Sequence, residues 1–137
     1  MILDASLVFS DAQAVTVTAA STNNIDTLAA GQAYVGILVV FLVTTTFTAA
    51  GAATMTIDIE TDGDSAFGSP TVLMNLATTV AVASLVAGTS PYRIVKRFPP
   101  TGAERYIRGK YTVASGPMTA GAADLFFTKD ADILISG

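Results

Sequence analysis

Residues 54–60 read TMTIDIE, and their alternation of apolar and polar side chains decides the fold class. Met55, Ile57 and Ile59 fall on one face of an extended strand, while the threonine and acidic side chains fall on the other. A strand with one dry and one wet face is typical of an antiparallel sheet that packs on a core. Because Asp62-Gly63 follows as a turn signal, the segment predicts a half-buried β-strand that ends at a tight turn.

Short segments of β type lie on both sides of this strand. The apolar run YVGILVVFLV at 34–43 predicts a strand over 34–44, since it is far shorter than the ~20 residues that span a bilayer. Further strands are predicted over 13–19, 25–27, 71–79, 80–87, 92–98, 105–114 with a bulge near Gly109, and 122–128, with a turn at 21–24. This pattern of about eight strands without a convincing helix predicts a single domain over 1–137, with an extended segment at 1–12, folded as a sandwich or barrel.

The composition limits the chemistry that the chain can perform. Histidine, cysteine and tryptophan are absent, 51% of the residues are hydrophobic and 13% are charged. Nucleophilic catalysis usually needs a base beside the nucleophile, and zinc sites normally use Cys or His. No phosphate-binding GxxxxGK[ST] motif occurs. We therefore predict a protein that is not an enzyme and needs no cofactor, although a glycosidase-like pair of carboxylates stays open at this level.

Four acidic residues, Asp58, Glu60, Asp62 and Asp64, recur at every second position and project from one side of an extended strand. One interpretation is a calcium site, because Ca²⁺ prefers several carboxylate oxygens. The spacing lacks the complete pattern of a calcium-binding loop. We favour a solvent-facing strand that runs into a turn. A third interpretation is an acidic patch that meets a basic patch on a neighbouring subunit.

Six of the seven Lys and Arg residues lie between 93 and 110, although the net charge is −4. Interleaved tyrosines also occur in proteins that bind single-stranded nucleic acid, but the acidic balance argues against that partner. Arg and Tyr are enriched at the energetic centres of protein interfaces, so we favour a protein contact, with plain surface charge as the alternative. The candidate interface residues are Tyr92, Arg93, Lys96, Arg97, Phe98, Arg105, Tyr106, Arg108, Lys110 and Tyr111.

Three segments carry a family resemblance. Residues 9–26 read FSDAQAVTVTAASTNNID, residues 98–111 read FPPTGAERYIRGKY, and Thr119-Ala120-Gly121 precedes the last predicted strand. The first segment resembles the Ser-Asp-x-Gln-Ala-Val-Thr stretch, leading to Ser-Thr-Asn-x-Ile-Asp, of the small capsid cement proteins of short-tailed bacteriophages. The second is similar to that family's proline turn and Arg-Tyr strand. The Ala- and Thr-rich segment 44–56 departs from a typical member.

This resemblance implies a jelly-roll-like antiparallel β sandwich that decorates the outer surface of the virion capsid, after synthesis in the host cytoplasm. The implied partners are the major capsid protein, whose adjacent subunits the protein bridges, and further copies of the chain, with a dimer favoured over a trimer. Neither nucleic acid nor a membrane is expected as a partner. The alternatives are another virion structural protein of the neck, tail or fibre base, and a carbohydrate-binding β-sandwich module.

Overall fold

The computed structural model describes residues 8–26, 37–98 and 104–129. Within these ranges no helix is long and apolar enough to cross a membrane. A 3-10 helix at Val82–Ser84 follows the fifth strand. The predicted all-β class with about eight strands is confirmed. The strands are β1 (Val8–Ala14), β2 (Ala19–Asp26), β3 (Ile37–Ala49), β4 (Thr54–Asp62), β5 (Thr71–Ala81), β6 (Arg93–Arg97), β7 (Tyr106–Ala114) and β8 (Met118–Lys129).

Two four-stranded antiparallel sheets form the sandwich. Sheet A has the order β1-β8-β3-β6, and sheet B has the order β2-β7-β4-β5. Each strand of one sheet thus has a counterpart in the other: β1 and β8 match β2 and β7, and β3 and β6 match β4 and β5. This double winding of antiparallel strand pairs is the jelly-roll arrangement, so the fold expected from the resemblance is the fold observed.

The inner faces of the sheets supply one shared core. The TMTIDIE strand lies in β4, and Met55, Ile57 and Ile59 are each 0% exposed, as the alternation predicts. Phe41 of β3 and Phe127 of β8 face them from sheet A and are also buried. Aromatic rings in edge-to-face contact pack densely in such a core; the Phe127 ring meets the rings of Phe9 at 4.9 Å and Phe98 at 4.8 Å.

A hydrogen bond through the core also joins the two sheets. The Tyr111 hydroxyl of sheet B lies 2.7 Å from the Ser10 hydroxyl of sheet A, and both residues are fully buried. A buried hydroxyl without a partner would cost free energy, so each of these groups satisfies the other. Burial raises the pKa of the Tyr111 phenol well above its ordinary range, although the hydrogen bond to Ser10 opposes the shift.

The strand predicted over 13–19 is wrong, because β1 ends at Ala14 and β2 begins at Ala19. Residues 15–18 connect these strands at one end of the sandwich, with Val15 buried and Val17 exposed. The turn predicted at 21–24 instead lies inside β2, where the strand bulges away from β7. Of the predicted extended segment 1–12, residues 8–12 belong to β1 and the remainder lies outside the described residues.

The strand predicted over 80–87 is also wrong. β5 ends at Ala81, and the chain then turns through the 3-10 helix. Two backbone hydrogen bonds hold this connection against neighbouring segments: the Val82 N–H donates to the Ala53 carbonyl, and the Leu85 carbonyl accepts from the Phe47 N–H. Within this connection Leu85 is 0% exposed and Val82 packs against the core, whereas Val86 is exposed. Residues 27, 34–36, 99–100 and 130–137, on which other predicted boundaries fall, lie outside the described residues.

Candidate protein-interaction surfaces

The structure divides the basic segment 93–110 between the two sheets. β6, which carries Arg93, Lys96 and Arg97, forms an outer strand of sheet A. β7, which carries Arg108 and Lys110, lies between β2 and β4 inside sheet B. The single basic zone of the sequence is therefore two surfaces, and their surroundings differ.

On the outer face of sheet B, the basic residues of β7 meet the acidic residues of β4. The Arg108 Nε donates to Glu60 Oε1 at 2.9 Å, and both side chains are mostly buried. Lys110 is the register partner of Asp58 in the same strand pair. Opposite charges at paired positions stabilise an antiparallel sheet. Part of the acidic zone thus pairs with part of the basic zone within one chain, while the pairing of such patches between neighbouring subunits stays a prediction.

The loop between β4 and β5 covers this ion pair. Phe67, which is 7% exposed, lies in the loop, and the Arg108 guanidinium stacks 4.3 Å from the centre of its ring. Asp62 holds the loop in place by accepting hydrogen bonds from the backbone N–H groups of Asp64 at 3.1 Å and Ser69 at 2.9 Å. Stacking on an aromatic ring and pairing with a carboxylate fix the guanidinium in one orientation.

The calcium interpretation is not supported. In the described part of the chain, no three acidic residues approach closely enough to hold a metal ion. The four carboxylates have separate partners: Asp58 accepts from the Asn75 amide at 2.7 Å, Asp64 accepts from the Ala66 N–H at 3.0 Å, and Glu60 and Asp62 are engaged as described above. Their alternation instead serves the charge pairing of sheet B and the following turn.

Arg105, just before β7, also has an internal partner. Its Nε and Nη2 donate to the two carboxylate oxygens of Asp26 at 2.8 and 3.0 Å. This hydrogen bonding to Asp26 raises the pKa of the guanidinium. The same guanidinium lies 5.1 Å from the ring centre of half-buried Tyr106. Because both groups of the ion pair are partly exposed, they tie the end of β2 to β7 without entering the core.

Two candidate interface residues lie in the core. Phe98 is 1% exposed and Tyr111 is 0% exposed, so neither side chain reaches the surface of this fold. The sequence grouped them with the basic residues because an aromatic side chain near arginine is typical of interfaces and of cores alike. Tyr92 is half-buried, and its ring contacts Phe41 edge-to-face at 6.3 Å. We therefore withdraw Phe98 and Tyr111 from the candidate surface.

The basic edge, defined here as Arg93, Lys96 and Arg97 of β6, keeps its three side chains exposed. The Lys96 ammonium donates to the Asn75 backbone carbonyl of β5 at 3.2 Å and thereby bridges the two sheets. Among the residues that the structure describes, no carboxylate lies within ion-pair distance of Arg93 or Lys96. Their positive charge is thus available to a partner.

The family model named Bbp16 matches residues 9–127. The chain belongs to the Bbp16 family. The name of that family is associated with bacteriophages, and the match includes residues 9–26 and 98–111, which carry the resemblance described above. No curated protein matches the chain. The range matched by the Bbp16 model thus includes all or nearly all of every strand of the sandwich, including the basic edge.

A groove that sequence reasoning missed lies at one end of this Bbp16 sandwich. It has a volume of about 450 Å³ and is lined by Val17, Thr18, Val113, Gly116 and Pro117. Val17 is 56% exposed, and the Thr18 hydroxyl accepts from the Val113 N–H at 3.0 Å. The sequence predicts Val17 within the strand 13–19, because the residues around it alternate. The structure instead places it in the connection between β1 and β2. The lining suits a small apolar contact.

Proposed function

We propose that this chain is a capsid cement, or decoration, protein that binds the outer surface of a phage head and bridges adjacent major capsid protein subunits. The observation that carries the proposal is membership of Bbp16, a phage-associated family, over residues 9–127. The jelly-roll sandwich and the resemblance of residues 9–26 and 98–111 to cement proteins support it. In this role the protein acts in the virion, without catalysis or a cofactor.

Rigidity is the property that such a bridge needs, and the sandwich has physical reasons to be rigid. Closely packed interiors transmit strain instead of absorbing it. The two sheets share one core, the Ser10–Tyr111 hydrogen bond crosses it, and the Arg108–Glu60 pair fixes a surface loop. A force that separates two shell subunits would therefore act on the attachment sites, because the body between them deforms little.

Attachment at several points gives a bridge its strength. Each apolar contact contributes roughly 25 cal/mol per Å² before the costs of association are subtracted. Once one contact has formed, a second on the same rigid body forms at high effective concentration, so residence on the shell increases. A homo-oligomer would multiply the contacts further and would match symmetric seams, and a dimer is favoured over a trimer.

Heating heads with and without this protein tests the proposal. Heads from which the protein has been removed should release their DNA at a lower temperature than complete heads, as followed by a DNA-binding dye. Adding the purified chain back should restore the release temperature, whereas an unrelated β-sandwich protein of similar size should not. Equal release temperatures for stripped and complete heads would contradict a cement function.

A second candidate is another virion structural protein, of the neck, tail or fibre base, because a phage-associated family fits that role equally well. Copy number separates the two. A cement protein should approach the shell protein in abundance, whereas a neck or tail component should occur in at most tens of copies per particle. Quantitative gel densitometry of purified virions measures this ratio.

A further inference from the structure

The four outer strands of the sandwich differ in how regularly they pair. β1, β2 and β5 each contain register shifts against their neighbours. β6 pairs with residues 38–42 of β3 through five consecutive positions without a shift. Bulges bend an outer strand and interrupt the regular row of backbone N–H and C=O groups along its free edge, which discourages the addition of another strand. By this criterion β6 is the regular outer strand of the described fold.

Side chains close the opposite edge of the sandwich, where β1 and β2 lie. The side chain of Gln13 makes two of these contacts. Its Nε2 donates to the Ala20 carbonyl at 2.9 Å, and its Oε1 accepts from the Thr22 N–H at 2.8 Å. The Asn23 amide donates to the Val8 carbonyl at 3.4 Å. These contacts occupy backbone groups that a further strand would otherwise use. No comparable set of side-chain contacts covers the backbone of β6 in the described residues; Lys96 reaches across to β5 through its side chain.

The charges of the basic edge decide what kind of strand can pair there. If two copies paired antiparallel about Val95, Arg93 of one copy would lie opposite Arg97 of the other. Like charges directly opposite each other destabilise a strand pair, so the edge discourages pairing with itself. Arg93 and Lys96 would instead attract an extended segment that carries carboxylates, because opposite charges across strands are favourable.

We propose that β6 accepts an acidic, extended segment of another protein as an additional strand of sheet A. The backbone of β6 would supply the affinity, and Arg93 and Lys96, which project from opposite faces of the strand, would each select a carboxylate on their own face of the incoming strand. Under the proposed function, on which this identification rests, that segment belongs to the shell protein. The bridge would then hold the shell through backbone hydrogen bonds as well as side-chain contacts.

Two charge-reversal variants with equal changes in net charge provide the test. Arg93→Glu/Lys96→Glu alters the basic edge, and Arg105→Glu/Lys110→Glu makes the same change on sheet B. After circular dichroism confirms that both fold, binding to heads that lack the protein is measured for each. We expect the first variant to lose roughly tenfold or more in affinity and the second to lose much less. On bound heads, the β6 amides should gain protection from hydrogen exchange.

Equal losses in the two variants would overturn the proposal, because they would indicate long-range attraction instead of pairing at β6. Unprotected β6 amides on bound heads would also overturn it, and so would protection that arises from dimerisation of the chain alone.

A second probe separates this inference from the cement function. It is a short peptide that alternates glutamate and valine, with a lysine and valine peptide as its control. If wild-type protein fails to bind heads but the acidic peptide shifts the NMR resonances of β6, the function is wrong and the inference stands. If heads and peptide both fail, both proposals are wrong.

Discussion

Tyr111 shows how a single polar atom can connect the two halves of this sandwich. Its ring is fully buried against Phe41, with the ring centres 6.2 Å apart, while its hydroxyl meets Ser10 of the other sheet. An ionised phenolate in that position would lack the solvation that water provides. The folded protein therefore holds the phenolic proton more tightly than the unfolded chain does.

This difference predicts alkaline instability. An unfolded tyrosine titrates near pH 10, and the pKa of Tyr111 is higher in the folded state. The stability linked to this proton is therefore present below about pH 10 and is lost as the pH rises above it. Urea unfolding should show a smaller decrease in the free energy of unfolding between about pH 8 and pH 11 for Tyr111→Phe than for wild type.

The matched control is Tyr106→Phe, which removes a hydroxyl from the outer face of sheet B. At neutral pH it should cost less than Tyr111→Phe, because the Tyr106 side chain is only half-buried. At neutral pH, Tyr111→Phe should cost about 1 kcal/mol, because Ser10 loses its cross-sheet partner. Equal alkaline losses in Tyr111→Phe and wild type would contradict the assignment of this pH dependence to Tyr111.

Arg108 provides a second prediction at the level of one residue. Arg108→Ala removes the partner of Glu60, which is 8% exposed, and the cation that stacks on Phe67. An unpaired and largely buried carboxylate is costly, so we expect a loss of about 2 kcal/mol in the free energy of unfolding. Denaturation in urea measures the loss. Arg105→Ala, which breaks an exposed ion pair, should cost clearly less, and the opposite order would contradict this account.

At the scale of strands, the bulge of β2 and the glycine of β7 depend on each other. Residues 21–23 of β2 lie opposite Gly109 alone, and Ser21 Oγ accepts from the Gly109 N–H at 2.9 Å. A Cβ at Gly109 would collide with the side chain of Leu125 in sheet A. The sheets thus approach closely where glycine permits it. The sequence predicted a bulge near Gly109, and the structure places the irregularity in the neighbouring strand.

Gly109→Ala should therefore destabilise the sandwich by about 1–3 kcal/mol, since Leu125 must move within a packed core. Thermal unfolding followed by circular dichroism measures the change. Gly51→Ala is the control, because nothing lies within 4 Å of the position that its Cβ would take. A loss at Gly51 as large as that at Gly109 would show that backbone effects, and not the contact with Leu125, are responsible.

Sequence patterns predicted strands well where burial and alternation agree, and less well where tertiary contacts intervene. In β4 each apolar residue of TMTIDIE faces the core. The alternating 13–19 segment gives the same signal, yet its residues 15–18 form the connection between β1 and β2. Backbone hydrogen bonds hold this connection, such as the one that the Met118 N–H donates to the Thr16 carbonyl. The basic segment 93–110 was predicted as one surface for a related reason. Pairing between β4 and β7 neutralises part of its charge, and composition does not reveal which strands pair.

For the molecule as a whole, the shared core predicts cooperative unfolding. Phe41 of sheet A contacts Tyr111 of sheet B and Tyr92 beside β6, so loss of its ring affects both sheets. Phe41→Ala should cost about 3–5 kcal/mol. Far-ultraviolet circular dichroism and tyrosine fluorescence should report one coincident transition in wild type and variant. Separate transitions for the two signals would mean that the sheets unfold independently; Val17→Ala, at an exposed position, should change little.

The contrast between the closed β1–β2 edge and the regular β6 edge also limits what copies of this molecule can build. A β protein that offers complementary strands on both sides can add subunits without end and grow into fibrils. Here the side chains of Gln13 and Asn23 already occupy backbone groups of one edge, and the other edge carries the exposed cations Arg93 and Lys96. Under the proposed function, such a subunit would add to the sheet of the shell protein without continuing the pairing into a fibril.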